Sequence, residues 1–254
     1  MSRAALAAIS HGTSDPAGQA VVARLAADVA AEAARRGQVE EVRLGHVDVQ
    51  DPDVAATLDA LPEGIPAVVV PVLLSAGYHV NVDLARETAD VGREVTISGA
   101  LGPDDRLVEL LAERLEAVGA DPRADAIILG AAGSSDPAAV DDCRDMGRRL
   151  AARLDADVEV AFLSAAEPRV RDAVAAARRQ RPEGRVVVAS YLLAPGYFQD
   201  LLAAAEADVT AAPLLSGPQD SGDAPASPRQ LVEVMLDRFA AGERALTARA
   251  DDGA

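Results

Sequence analysis

The chain of 254 residues contains no lysine and no tryptophan, and its aromatic content is only 2%. Without lysine it has neither a Walker A phosphate loop nor an ε-amino group for Schiff-base chemistry. The scarcity of aromatics removes the stacking platforms that single-stranded nucleic acids use. A net charge of −17 opposes polyanion partners and favours small cations. Cys143 is the one cysteine, which excludes an internal disulfide and a cysteine-based zinc or iron–sulfur site. It falls in a helical pattern and reads as a small buried side chain. No Gly-x-Ser-x-Gly elbow and no Gly-x-Gly-x-x-Gly fingerprint occurs, so a serine hydrolase and a dinucleotide site lack support. No apolar run reaches the roughly 20 residues of a membrane span, and the start of the chain lacks a basic region followed by an apolar one. A cytoplasmic protein with no membrane or nucleic-acid partner is expected.

Half of the residues are apolar, and they alternate between short runs and longer amphipathic stretches. This predicts strands over 4–10, 39–47, 67–74 and 94–98, with helices over 17–36, 51–61, 79–90 and 104–118. The same order recurs with strands over 126–129, 158–163, 185–193 and 208–211, and helices over 137–154, 168–179, 198–205 and 228–240. Such βα alternation implies an α/β fold of two tandem domains, each a mostly parallel four-stranded sheet flanked by helices. The expected bounds are 1–120 and 124–241, joined by a linker over 119–123 and followed by a frayed tail over 242–254. A Gly/Asp/Pro/Ser-rich loop over 217–228 precedes the last helix. Asp15-Pro16 and Asp136-Pro137 read as helix caps, and Asp51-Pro52 as a similar start.

The two halves repeat in three blocks that keep their order. Ser10-His11-Gly12-Thr13-Ser14-Asp15-Pro16 returns as Ala131-Ala132-Gly133-Ser134-Ser135-Asp136-Pro137. Gly45-His46-Val47-Asp48-Val49-Gln50-Asp51-Pro52 returns as Ala161-Phe162-Leu163-Ser164-Ala165-Ala166-Glu167-Pro168. Val70 to His79 returns as Ala189 to Phe198, so that Phe198 replaces His79 and is expected to be a buried aromatic. All three histidines lie in the first copy.

Ligands of open parallel sheets bind outside the carboxyl ends of the strands. His11 follows the first strand, Asp48 ends the second and His79 follows the third, so the topology brings all three to one rim. Two imidazoles and a carboxylate suit Fe²⁺, Co²⁺, Ni²⁺ or Zn²⁺ better than Ca²⁺ or Mg²⁺. A shared metal or catalytic site is the preferred reading over two unrelated structural histidines; His46 reads as structural. Gly12 and Gly77 would let a flat ligand approach the main chain, with Leu73, Leu74 and Tyr78 as apolar walls.

At these residues the chain resembles the sirohydrochlorin chelatase family, the ATP-independent class II cobaltochelatases and ferrochelatases, in its long two-copy form. The resemblance rests on His11 to Pro16, on the Asp48 segment leading into Asp51-Pro52, and above all on Leu73-Leu74-Ser75-Ala76-Gly77-Tyr78-His79-Val80-Asn81-Val82-Asp83. It implies insertion of Co²⁺ or Fe²⁺ into sirohydrochlorin, in cobalamin or sirohaem synthesis, with His11 and His79 as metal ligands. The family's usual strand-two glutamate maps onto Asp48, a shorter carboxylate with a catalytic role beside the histidines. No cofactor is implied beyond the substrate metal, with Ni²⁺ or Zn²⁺ as substitutes in vitro, and a monomer is expected. The alternative is a carrier that holds metal or tetrapyrrole without joining them.

Overall fold

The computed structural model describes residues 3–75, 84–89, 91–216 and 226–252. The central strands β1 (Ala5–Ser10), β3 (Ala67–Pro71), β5 (Ala126–Ala131) and β7 (Val186–Tyr191) are apolar runs buried almost throughout. Burial on both faces requires helices above and below a parallel sheet. The outer strands are β2 (Val42–His46), β4 (Val95–Ile97), β6 (Val158–Phe162) and β8 (Val209–Thr210). They complete two parallel sheets in the orders β2-β1-β3-β4 and β6-β5-β7-β8.

The helices are α1 (Pro16–Arg36), α2 (Val54–Asp59), α3 (Asp105–Ala117), α4 (Pro137–Leu154), α5 (Val170–Gln180), α6 (Tyr197–Ala203) and α7 (Arg229–Asp252). Asp15 caps α1 by accepting the Gly18 N–H at 2.8 Å, and Asp136 caps α4 by accepting that of Ala138 at 2.9 Å. The start of α2 departs from expectation. Its cap is Asp53, which accepts the Ala56 N–H at 2.8 Å, because residues 51–52 are still in the turn that leaves β2. Alternation along β1 and β3 sends Ala5, Ala7, Ile9, Ala67 and Val69 to one face, where they meet Val54 and Leu58 of α2 and Leu84. Full burial of each Leu, Ile or Val in such a layer stabilises by about 1.5–3 kcal/mol.

The compact units are not the two sequence halves. One comprises Met1–Leu101 with Gly217–Ala254, and the other Gly102–Ser216. Helix α3 follows the first sheet in sequence but packs on α4 and β7; α7 follows the second sheet but packs on α1, β3 and β4. Each of these helices also donates an arginine to carbonyls beyond the last strand of the sheet it covers. Arg114 reaches Leu214 O at 2.9 Å and Ser216 O at 3.2 Å; Arg238 reaches Ala100 O at 2.7 Å and Leu101 O at 3.0 Å. Periodicity reveals that a helix has an apolar stripe but not which sheet receives it, so the break expected near residue 120 moves to 101 and 216. The tail expected to fray from residue 242 instead continues α7 as far as Asp252, with Leu246 buried.

Gly242 marks a close approach of α7 to its sheet, since a Cβ there would lie 2.4 Å from Cγ1 of the fully buried Val68. On an exposed helix face, Gly→Ala would stabilise by up to about 1 kcal/mol. Gly242→Ala is expected to do the opposite and lower the unfolding free energy by about 1–3 kcal/mol through overpacking. Urea denaturation of the full chain reads the sign.

Candidate active site

β1 ends at Ser10, and the chain passes through His11 into Gly12, whose φ is 91°. A side chain at Gly12 is excluded twice, by that φ and because its Cβ would lie 2.0 Å from the Asp48 carbonyl oxygen. The close approach arises because β1 and β2 stay paired beyond their ends. Val47 N–H donates to Ser10 O at 2.9 Å and Asp48 N–H to His11 O at 3.0 Å. His11 and Asp48 are therefore brought together at the carboxyl end of the sheet, both exposed.

Asp48 begins a tight turn in which Gln50 N–H donates to Asp48 O at 2.7 Å, and Asp48 Oδ1 accepts the Val49 N–H at 2.8 Å. Val49 at its centre has φ 66° and is 57% exposed. A γ-turn with positive central φ is strained, more so for a β-branched residue. The other wall comes from β3, which also runs on along β1 through Val72 N–H to Ile9 O at 2.7 Å. Leu73 and Leu74 follow, half-buried. Gly77, Tyr78 and His79 lie outside the described residues. Among the described residues no group of three His, Cys, Asp or Glu side chains could hold a metal ion.

His46 is buried, with Nδ1 2.8 Å from Ser10 Oγ, and is structural. Burial holds its pKa below the usual value of about 6.5. The same Ser10 oxygen accepts the Gly12 N–H at 3.3 Å. Sequence reasoning did not single out Gln50 or Gln19. Gln50 Oε1 accepts the Thr13 N–H at 2.9 Å, and Gln19 Nε2 donates to Thr13 O at 2.8 Å. Their signal lay in the repeat, where alanine and valine stand at 166 and 140.

The second copy keeps the backbone and changes the side chains. Gly133 has φ 91°, and a Cβ on it would lie 1.9 Å from Ser164 O. Leu163 and Ser164 N–H donate to Ala131 and Ala132 O, each at 2.9 Å, and Ala165 takes φ 56° in the counterpart turn. Ala132, Ser164 and Phe162 occupy the places of His11, Asp48 and His46. Phe198 is not the buried aromatic expected: it is 41% exposed. It stands in the first turn of α6, where its ring meets Tyr197 edge-on at 5.7 Å. Tyr197 beside it is 70% exposed.

Residues 5–118 and 126–213 each match the CbiX family. The chain belongs to that family, and it carries two copies of its unit. It is 30% identical over 135 residues to the sirohydrochlorin ferrochelatase of Priestia megaterium, covering 50% of this chain and 50% of that protein. It is 30% identical over 80 residues to the sirohydrochlorin cobaltochelatase of Sulfurisphaera tokodaii, covering 30% of this chain and 67% of that protein. The chain thus spans half the length of the first relative. The solved structure of SirB from Bacillus subtilis with Fe³⁺ superposes with a TM-score of 0.74 at 17% identity, covering 95% and 96% of the two chains, and shares the fold. No helix among the described residues is long and apolar enough to cross a membrane.

The lowered His46 pKa has a definite consequence for stability. Below about pH 6.5 the unfolded imidazole takes up a proton that the folded one resists, so the unfolded state binds more protons and stability rises with pH. The His46 contribution is complete above about pH 6.5 and is lost as pH falls through the lower folded value. Ser10→Ala/His46→Phe recreates the Ala131/Phe162 pair of the second copy. It is expected to flatten this slope between pH 7.5 and 5.5 in urea titrations, while Ser10→Ala alone costs about 1–3 kcal/mol by leaving Nδ1 unpartnered.

Proposed function

We propose that this chain is a chelatase that inserts Co²⁺ or Fe²⁺ into sirohydrochlorin without ATP, using the first copy's rim. One observation carries the reading. The backbone turn that joins the first strand end to the second is built identically in both copies, yet only the first furnishes it with an imidazole and a carboxylate. A scaffold kept twice and armed once points to chemistry at the armed copy. Membership of the CbiX family and the named activities of the two relatives supply the substrate class.

In this reading His11 and His79 hold the substrate ion as neutral imidazoles, a ligand type suited to borderline divalent metals. As M²⁺ enters the macrocycle, two pyrrole N–H protons leave, so the site needs a base able to accept a proton near neutral pH. Each imidazole can take one of these protons on the nitrogen that the departing ion vacates, and Asp48, beside His11, orients it or passes the proton to solvent. Gly12 lets the loop's main chain close onto that of Asp48, and we propose Leu73, Leu74, Gly77 and Tyr78 as the surface against which the flat ring rests. Positioning of ion and ring together provides the acceleration, with no covalent step.

Purified protein mixed with sirohydrochlorin and Co²⁺ or Fe²⁺ should convert the free-base visible spectrum to that of the metallated ring faster than the uncatalysed reaction. His11→Ala and His79→Ala are each expected to slow this by at least about 10²-fold, and Asp48→Asn by less. Phe198→Ala should leave the rate near wild type. Failure to accelerate with either ion, with ring still bound, would establish a carrier instead.

A further inference from the structure

The loop that carries His11 is held by two glutamines whose places in the second copy are taken by Ala166 and Val140, where the side-chain tie from the turn is instead Ser164 Oγ donating to Ala132 O at 2.9 Å. Gln50 Oε1 accepts the Thr13 N–H at 2.9 Å from the turn after β2, and Gln19 Nε2 donates to Thr13 O at 2.8 Å from the first turns of α1. Between them they fix the peptide on each side of Thr13, two residues beyond His11. Gln50 also belongs to the Asp48 turn, through its own N–H to Asp48 O at 2.7 Å. It therefore ties the loop of the imidazole to the turn of the carboxylate.

The second copy shows that the fold does not need this clamp. There Ala166 and Val140 replace the glutamines. Even so, Gly133 keeps the φ of 91° seen at Gly12, and the hydroxyl of Ser134 accepts the Asp136 N–H at 3.0 Å as Thr13 Oγ1 accepts that of Asp15 at 3.1 Å. The turn forms without the glutamines where no imidazole has to be aimed. It acquires them where one stands. A group that holds or releases an ion must stay within a fraction of an ångström of its productive place, and partners that orient ligands commonly set affinity by 10- to 100-fold.

We infer that Gln50 and Gln19 are positioning residues for metal handling at His11, acting through the two peptides of Thr13. This rests on the chelatase reading above. Gln50→Ala and Gln50→Met remove the acceptor, the second while keeping the bulk; Gln50→Glu keeps an acceptor at the same reach. Co²⁺ titration of the full chain, without tetrapyrrole, should show affinity about 10- to 100-fold weaker for Gln50→Ala and Gln50→Met. Gln50→Glu should bind at least as tightly as wild type, and Gln19→Val should weaken binding in the same direction. Melting temperatures should stay within about 4 °C of wild type.

His11→Ala in parallel separates the two ideas. If it binds Co²⁺ like wild type, the metal site itself is misassigned. If it loses binding while Gln50→Ala, Gln50→Met and Gln19→Val retain full affinity, the positioning role is wrong and the chelatase reading stands. Equal weakening of Gln50→Ala and Gln50→Glu, matched by a fall in melting temperature, would make Gln50 a purely structural residue and overturn the inference.

Discussion

Two backbone hydrogen bonds, from Val47 to Ser10 and from Asp48 to His11, decide the layout of the first copy's rim. They prolong the β1–β2 ladder past its regular end. The main chain of residue 48 then lies so close to residue 12 that only glycine fits, and residue 49 is driven into a positive φ. Each such bond contributes about 0.5–1.5 kcal/mol net, while a strained φ costs about 1–3 kcal/mol. The balance holds because β1 behind it is buried along its whole length. Placing His11 beside Asp48 is a by-product of that register, which a one-residue slip would abolish.

The duplicated architecture separates two constraints that a single copy would confound. What both copies retain, the glycine with φ near 90°, the tight turn and the capping aspartate, is required for the fold. What differs is free of that requirement: His11 against Ala132, Asp48 against Ser164, Gln50 against Ala166. The exchange of α3 and α7 adds a further dependence, since each sheet is covered by a helix that belongs in sequence to the other half. Neither half closes its own core with its own residues.

Much of this was readable beforehand, for physical reasons that differ by element. Central strands announce themselves as continuous apolar runs, and Asp-Pro marks the starts of α1 and α4 because a capping carboxylate and a fixed φ are both local features. Convergence of His11 and Asp48 followed from parallel topology alone. The destination of α3 and α7 did not, because an amphipathic stripe says nothing about which of two equivalent sheets it will meet. The cap of α2 shifted from Asp51 to Asp53 because residues 51–52 still belong to the turn that leaves β2. Phe198 was misjudged because an apolar replacement for a rim histidine inherits the rim's exposure. The glutamine clamp escaped notice because glutamine is common on surfaces; only residue-by-residue comparison of the copies distinguishes it.

The most direct measurement of the central claim is X-ray absorption at the cobalt edge on the Co²⁺-loaded full chain, wild type and His11→Ala. The account predicts scattering from two imidazoles about the ion in the wild type and from one fewer in the variant. An ion surrounded by oxygen alone, or an imidazole shell unchanged by loss of His11, would contradict it.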